Sequence, residues 1–205
     1  NPDLLAERSW HGEVGTDLRL VEGFRFSVTG FYRRDNNLID YGIANSNDIP
    51  NNENLQADAD YLLAQNILSV QTLGLESQLT YQFKADGFSM EYILGNQLIQ
   101  TVNPTEEATR YLSNRPRFLF TAQGIFTIKD FVTISFQNVS KIREGAVSEA
   151  IGAELTDRYS IWNAKVMVHL SPRLSLFGQA YNLTDAAYQD ILGARLPNRW
   201  INGGI

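Results

Sequence analysis

Seven arginines, Arg110, Arg115, Arg117, Arg143, Arg158, Arg195 and Arg199, lie in or beside long polar stretches of this chain. A guanidinium suits oxyanions, because its planar fork offers parallel N–H bonds to carboxylate or phosphate. Tyr41, Tyr111 and Tyr188 occupy the same stretches and present flat rings on which a planar ligand can stack. The candidate ligand contacts are therefore Tyr41, Tyr111, Arg115, Tyr188 and Arg195. The competing reading of each is a solvated loop side chain.

Other chemistry finds little support. His11 and His169 are the only histidines and stand far apart, so the short ligand spacing of a zinc centre is missing. There is no cysteine, which removes disulfides and thiolate ligands. No nucleophile elbow, phosphate loop or acid/base pair is spelled out, so no enzyme, cofactor or resident metal is expected. A net charge of -6 argues against nucleic acid as a partner. Residues 35–66 hold Asp35, Asp40, Asp48, Glu53, Asp58 and Asp60 with no Lys or Arg. They read as a solvated acidic loop, or as a surface that meets divalent cations.

The elements that must carry these residues follow from periodicity. In "VQTLGLESQLTYQF", from Val70, the side chains Leu73, Leu75, Leu79, Tyr81 and Phe83 alternate with Thr72, Glu76, Gln78, Thr80 and Gln82. A period of two is a strand with one apolar face. The pattern recurs through Trp10–Leu20, Phe24–Tyr32, Phe88–Leu94, Phe118–Ile128, Val132–Phe136, Trp162–Leu170 and Leu174–Ala180, and restarts near Asn198. This predicts about nine antiparallel strands. Glu76, Gln78, Glu91, Gln97, Gln123, Gln137 and Lys165 line the polar side.

The connections alternate too. Tight turns at residues 22–23, 84–87, 129–130 and 171–173 are separated by long polar stretches at 35–66, 96–115, 141–157 and 183–197. Short turns at one end and long loops at the other describe an all-β, up-and-down transmembrane β-barrel portion, with periplasmic turns and extracellular loops. Phe83, Phe88, Phe126 and Phe131 would form one aromatic girdle. Tyr32, Tyr92, Tyr111, Phe118, Tyr159 and Trp162 would stand near the other rim. A passive porin-like barrel and a soluble β-sheet binding or adhesion module remain alternatives.

Five motifs then carry a family resemblance. "NPDLLAERSW", "FRFSVTGFYRRDNNLIDY", "LGLESQLTYQF", "AYNLTDAAYQD" and "LPNRW" resemble, in order, elements of the C-terminal barrel of TonB-dependent outer-membrane receptors, with Asn198 where those receptors usually have Gly. The resemblance implies that residues 1–205 are one C-terminal barrel portion, lacking the plug domain and the earlier strands of a barrel of about 22. It also implies import of a scarce nutrient chelate, a ferric siderophore or cobalamin, across a Gram-negative outer membrane. The partners would be the inner-membrane TonB complex, reached through the plug, and outer-membrane lipid with its lipopolysaccharide.

Overall fold

The tight turns form where their residues allow a reversed backbone. Gly23 and Gly87 have φ of 80° and 68°, and Lys129 and Asp130 have φ of 51° and 53°. Positive φ at both central positions, as at Lys129 and Asp130, matches the twist of the flanking strands. At Gly23 a side chain is also excluded sterically, since a Cβ would stand 2.1 Å from the Gln82 carbonyl oxygen.

The computed structural model describes residues 3–102, 115–143, 146–148, 153–191 and 194–205. Its strands are β1 (Arg8–Val21), β2 (Phe24–Asn45), β3 (Asp60–Ala85), β4 (Phe88–Val102), β5 (Pro116–Ile128), β6 (Val132–Arg143), β7 (Ala146–Ser148), β8 (Ala153–Leu155), β9 (Arg158–Ser171), β10 (Leu174–Tyr181), β11 (Gln189–Ile191), β12 (Ala194–Arg195) and β13 (Trp200–Gly204). Nine of them form one antiparallel sheet in the order β1-β2-β3-β4-β5-β6-β9-β10-β13. β7 with β8, and β11 with β12, are small hairpins within the long connections. The sheet is open, with β1 and β13 as its edges.

Register carries the alternation across the sheet. Phe26 pairs with Leu79, Leu79 with Leu94, Leu94 with Ala122, Ala122 with Asn138 and Asn138 with Trp162. One face therefore presents Val14, Leu73, Leu75, Leu98, Ile134 and Val166 to the surroundings, all exposed. A continuous apolar face of that kind does not persist in water, and it matches the lipid side of a barrel. The opposite face carries Glu76, Gln78, Gln97, Gln123, Gln137 and Lys165, as alternation predicts. Gln97 donates to Glu76 across the β3–β4 ladder.

Three expectations change. First, residues 35–66 are not all loop. β2 and β3 stay paired as far as Asn45 with Asp60, and the two strands are 22 and 26 residues long. About 10 residues suffice to cross a membrane, so each strand of this hairpin is about twice as long as a crossing needs. Second, the acidic stretch is not uniformly solvated, because Asp35 and Asp40 are buried to 3% and 1% exposure. Asn37, with φ of 54°, precedes an exchange of faces: Asp40 and Gly42 are buried beyond it, while Tyr41 and Ile43 are exposed. Third, two tyrosines do not join the expected outer girdle. Tyr92 packs mid-sheet against Phe126 and Phe136, and Tyr159 faces the polar side.

The start of the chain clips onto the β2–β3 hairpin. Asn66 accepts from the Leu5 N–H at 2.7 Å and donates to the carbonyls of Leu5 and Asn37. Glu7 accepts the Ile39 N–H at 2.6 Å. These bonds place the asparagine and glutamate so that few backbone groups are left unpaired where β1 begins.

Candidate functional site

Functional side chains gather at the long-loop end of the polar face, in two groups. The first lies on β6, β9 and the last connection. Counting outward from Gln137 puts Lys141 and Arg143 on the polar face of β6, and counting back from Lys165 puts Tyr159 on the same face of β9. Lys141 and Tyr159 are direct ladder partners. All three meet Asp190: Tyr159 Oη donates to Oδ1 at 2.6 Å, Lys141 Nζ donates at 3.1 Å, and Arg143 Nη1 stands at 3.5 Å.

Arg143 has no exposed side-chain surface. It donates through Nε to the Thr156 carbonyl at 2.9 Å and through Nη2 to the Gln189 carbonyl. One buried guanidinium thus ties two connections to the wall, and these charge-assisted bonds offset its desolvation. Burial works to raise the pKa of Asp190, but the Tyr159 hydroxyl and the Lys141 ammonium outweigh it and hold the carboxyl below its usual range. The ring of Tyr188 packs on Tyr159 with centroids 4.8 Å apart. Burial and the neighbouring Asp190 charge raise the Tyr188 hydroxyl above its ordinary value.

The second group surrounds Asp35. Arg33 Nε donates to Asp35 Oδ1 at 2.8 Å, while Asp35 Oδ2 is buried without a hydrogen-bond partner among the described residues. Arg115 Nη1 donates to Thr72 Oγ1 at 3.2 Å. Burial lowers the Arg115 pKa, Asp35 partly counters that, and the like charge of Arg33 adds to it. A guanidinium with its high intrinsic pKa stays charged under such a shift.

Of the candidate contacts, Arg115 and Tyr188 are half-buried within these groups, and Arg195 is exposed on β12. Tyr41 is exposed on the outward side of β2, away from the Asp40 side. Tyr111 lies outside the described residues. Arg115 and Tyr188 therefore sit in separate groups rather than one. The sequence reading missed Asp190, Lys141 and Thr72 as site members, although strand parity alone would have assigned Lys141 to the inner wall.

The Asn-Leu-x-Asp turn is a self-contained lock. Asn182, with φ of 50° and 3% exposure, donates to the carbonyls of Ala186 and Pro197 and accepts the Ala186 N–H at 3.0 Å. The Leu183 N–H donates to the Trp162 carbonyl, and the Thr184 hydroxyl donates to the Ser160 carbonyl. The turn thereby fixes the connection that carries Tyr188 and Asp190. A polar cluster on the apolar face was also unforeseen. Asn138, 1% exposed, donates to Ser160 Oγ and the Ile161 carbonyl, and accepts from Ser140 Oγ. Its groups satisfy one another, as lipid contact demands.

The family model described as "TonB dependent receptor-like, beta-barrel" matches residues 1–198. The chain belongs to the TonB-dependent receptor family. Among solved structures, a ferric enterobactin receptor from Pseudomonas aeruginosa in complex with enterobactin is 19% identical, with a TM-score of 0.61 over 97% of this chain and 31% of its own. The ferric-catecholate import receptor Fiu from Escherichia coli K12 is 13% identical, with a TM-score of 0.66 over 97% of this chain and 27% of its own. The siderophore receptor PirA from Pseudomonas aeruginosa is 17% identical, with a TM-score of 0.57 over 94% and 29%. At such identities the likeness is one of fold. The chain spans about a third of the first neighbour's length. No curated protein matches the sequence.

Proposed function

We propose that residues 1–205 form the C-terminal part of the barrel of an outer-membrane receptor that imports a ferric siderophore. The observation that carries this reading is the family match over nearly the whole chain, joined to a sheet whose neighbours include several receptors named for iron chelates. Cobalamin is the other ligand the sequence resemblance allowed, and none of these neighbours is named for it. In this reading the long loops and the two polar groups at the outer mouth meet the chelate. A plug domain supplied by other parts of the polypeptide closes the lumen, and the inner-membrane TonB complex pulls on it to open a path. The apolar face meets lipid, and Arg158, 77% exposed at the rim, is placed to meet lipopolysaccharide phosphates.

Uptake by whole cells tests the proposal. The full-length gene would be expressed in a strain stripped of its own iron and cobalamin receptors, with and without TonB. TonB-dependent entry of radiolabelled iron as a siderophore complex is the expected result. Entry of labelled cobalamin instead would replace the ligand class, and uptake independent of TonB would favour a passive pore.

A further inference from the structure

We propose that the Asp190 carboxylate occupies a preformed oxyanion site on the inner wall and stands in for an anionic oxygen that an arriving ligand would present. The argument begins with convergence. Lys141 Nζ, Tyr159 Oη and Arg143 Nη1 all address one atom, Asp190 Oδ1, at 3.1, 2.6 and 3.5 Å. The three donors belong to two wall strands in register, so the ladder and not the loop sets their spacing. Only the acceptor comes from a connection.

Burial divides the site in the same way. The side chains of Arg143 and Lys141 are 0% and 13% exposed, whereas that of Asp190 is 43% exposed. The cationic half is therefore held inside, and the anionic half stands at the water edge. Arg143 does not depend on the carboxylate for its position, since it also donates to the backbone carbonyls of Thr156, Gln189 and Asp190. When the carboxylate leaves, the donors remain where they are. Preorganised donors of that kind are what an oxyanion site requires.

Charge favours exchange as well. Among the described residues two cations face one carboxylate, so an oxyanion bearing more charge than Asp190 gains by taking its place. Carboxylate, hydroxamate and catecholate oxygens share the necessary size and acceptor geometry. Once such a group binds, Asp190 turns to water, and the last connection loses its side-chain tie while the Arg143 bonds to the Gln189 and Asp190 carbonyls and the Asn182 turn still anchor it. Capture is thereby coupled to the position of the last loop. The identity of the ligand rests on the receptor reading above, but the oxyanion site does not.

Acetate is the probe, and purified full-length receptor in detergent is the sample. Hydrogen–deuterium exchange over residues 186–196 would be followed in wild type, Asp190→Ala, and Asp190→Ala with Lys141→Met. Exchange is expected to rise in Asp190→Ala and to stay high when acetate is added, because acetate fills the site without holding the loop. Calorimetric titration should show that variant binding acetate about tenfold more tightly than wild type, whose site is filled. Adding Lys141→Met should abolish the tighter binding. Asp190→Asn, which keeps the shape, should also raise exchange, and it serves if the alanine variant does not fold. Acetate binding no tighter in Asp190→Ala than in wild type, equally tight binding by the double variant, or wild-type exchange in Asp190→Asn would each overturn the proposal. None of these readings depends on transport, so they stand apart from the uptake experiment.

Discussion

Asp185 Oδ1 accepts the backbone N–H of Arg199 at 2.8 Å, so the turn that ends β10 also holds the entry to β13. The Arg199 guanidinium reaches back to the Leu183 carbonyl and lies 3.9 Å from the Asp185 carboxylate. Two ends of a long connection are thus fastened to each other before the strands pair. Asn182 does the same from beneath, buried and with its amide fully engaged.

Asn182→Ala should therefore cost more than Asp185→Ala. The first removes three part-buried bonds to the backbone of Ala186 and Pro197, at about 0.5–1.5 kcal/mol for each. The second loses one half-exposed bond, at about 0.5–1.5 kcal/mol. Urea midpoints of the full-length receptor in detergent, read by heat-modified gel mobility, would rank them. An Asp185→Ala midpoint as low as that of Asn182→Ala would contradict the ordering.

The two faces of β3 can be separated by one residue step. Leu79 pairs with Leu94 on the apolar face, and Gln78 lies on the other. Leu79→Arg should cost roughly 2–4 kcal/mol in the intact barrel near the bilayer midplane, and Gln78→Arg much less. Equal losses of folded barrel in lipid vesicles would mean that the facing is wrong.

Gly74 leaves room for its ladder partner Phe31. A Cβ there would stand 2.2 Å from Phe31 Cζ, whereas one on Gly30 would approach nothing nearer than 4.0 Å. Gly74→Ala should destabilise by about 1–3 kcal/mol through overpacking. Gly30→Ala should be neutral or stabilising by about 0.4–1 kcal/mol. Thermal unfolding of both variants provides the check, and a harmless Gly74→Ala would show that the ring moves aside freely.

Charge reversal distinguishes the two candidate arginines, one exposed and one half-buried. Arg195 is exposed, so Arg195→Glu should weaken capture of an anionic chelate while leaving the barrel intact. Arg115→Glu places a carboxylate near Asp35 and Asp40 and removes the bond to Thr72, so it should also loosen the outer wall. Equilibrium binding alongside limited proteolysis separates these effects. Unchanged affinity in Arg195→Glu would return that residue to ordinary solvated charge.

Acid should release the last loop. The folded carboxyl of Asp190 lies below the ordinary value of 3.8, so its contribution is complete above that value and disappears as pH falls through the lower, folded one. Limited digestion with pepsin across that window should show cleavage within residues 183–199 increasing toward the acid end. In Asp190→Asn the same cleavage should be high and independent of pH. A wild-type pattern that is flat with pH would indicate that the carboxylate does not govern the loop.

Strand existence, the short turns and the two faces were legible in the sequence because alternation is local and each turn has its own residue signature. Strand ends were less so. The outer half of β2 and β3 carries Asp40, Tyr41, Asn45 and Asp60, polar residues that read as loop until a partner strand pairs with their backbone. The site was harder still. Asp190 acquires its meaning from Lys141 and Tyr159, which are 49 and 31 residues distant along the chain and meet it only through register. Asn37 hides a change of facing that no hydrophobic pattern announces, since it depends on one backbone angle.

The tip of the β2–β3 hairpin is closed by its own bonds: Ser46 N–H to the Ala59 carbonyl, Asn52 to the Ser46 carbonyl, and Asn47 to Asp58. Nothing in that closure draws on the barrel wall. A foreign peptide spliced between the exposed Glu53 and Asn54 would ride on a paired hairpin without disturbing the registers of the sheet. The same separation leaves the tip free to vary in sequence while the strands beneath stay bound to their registers.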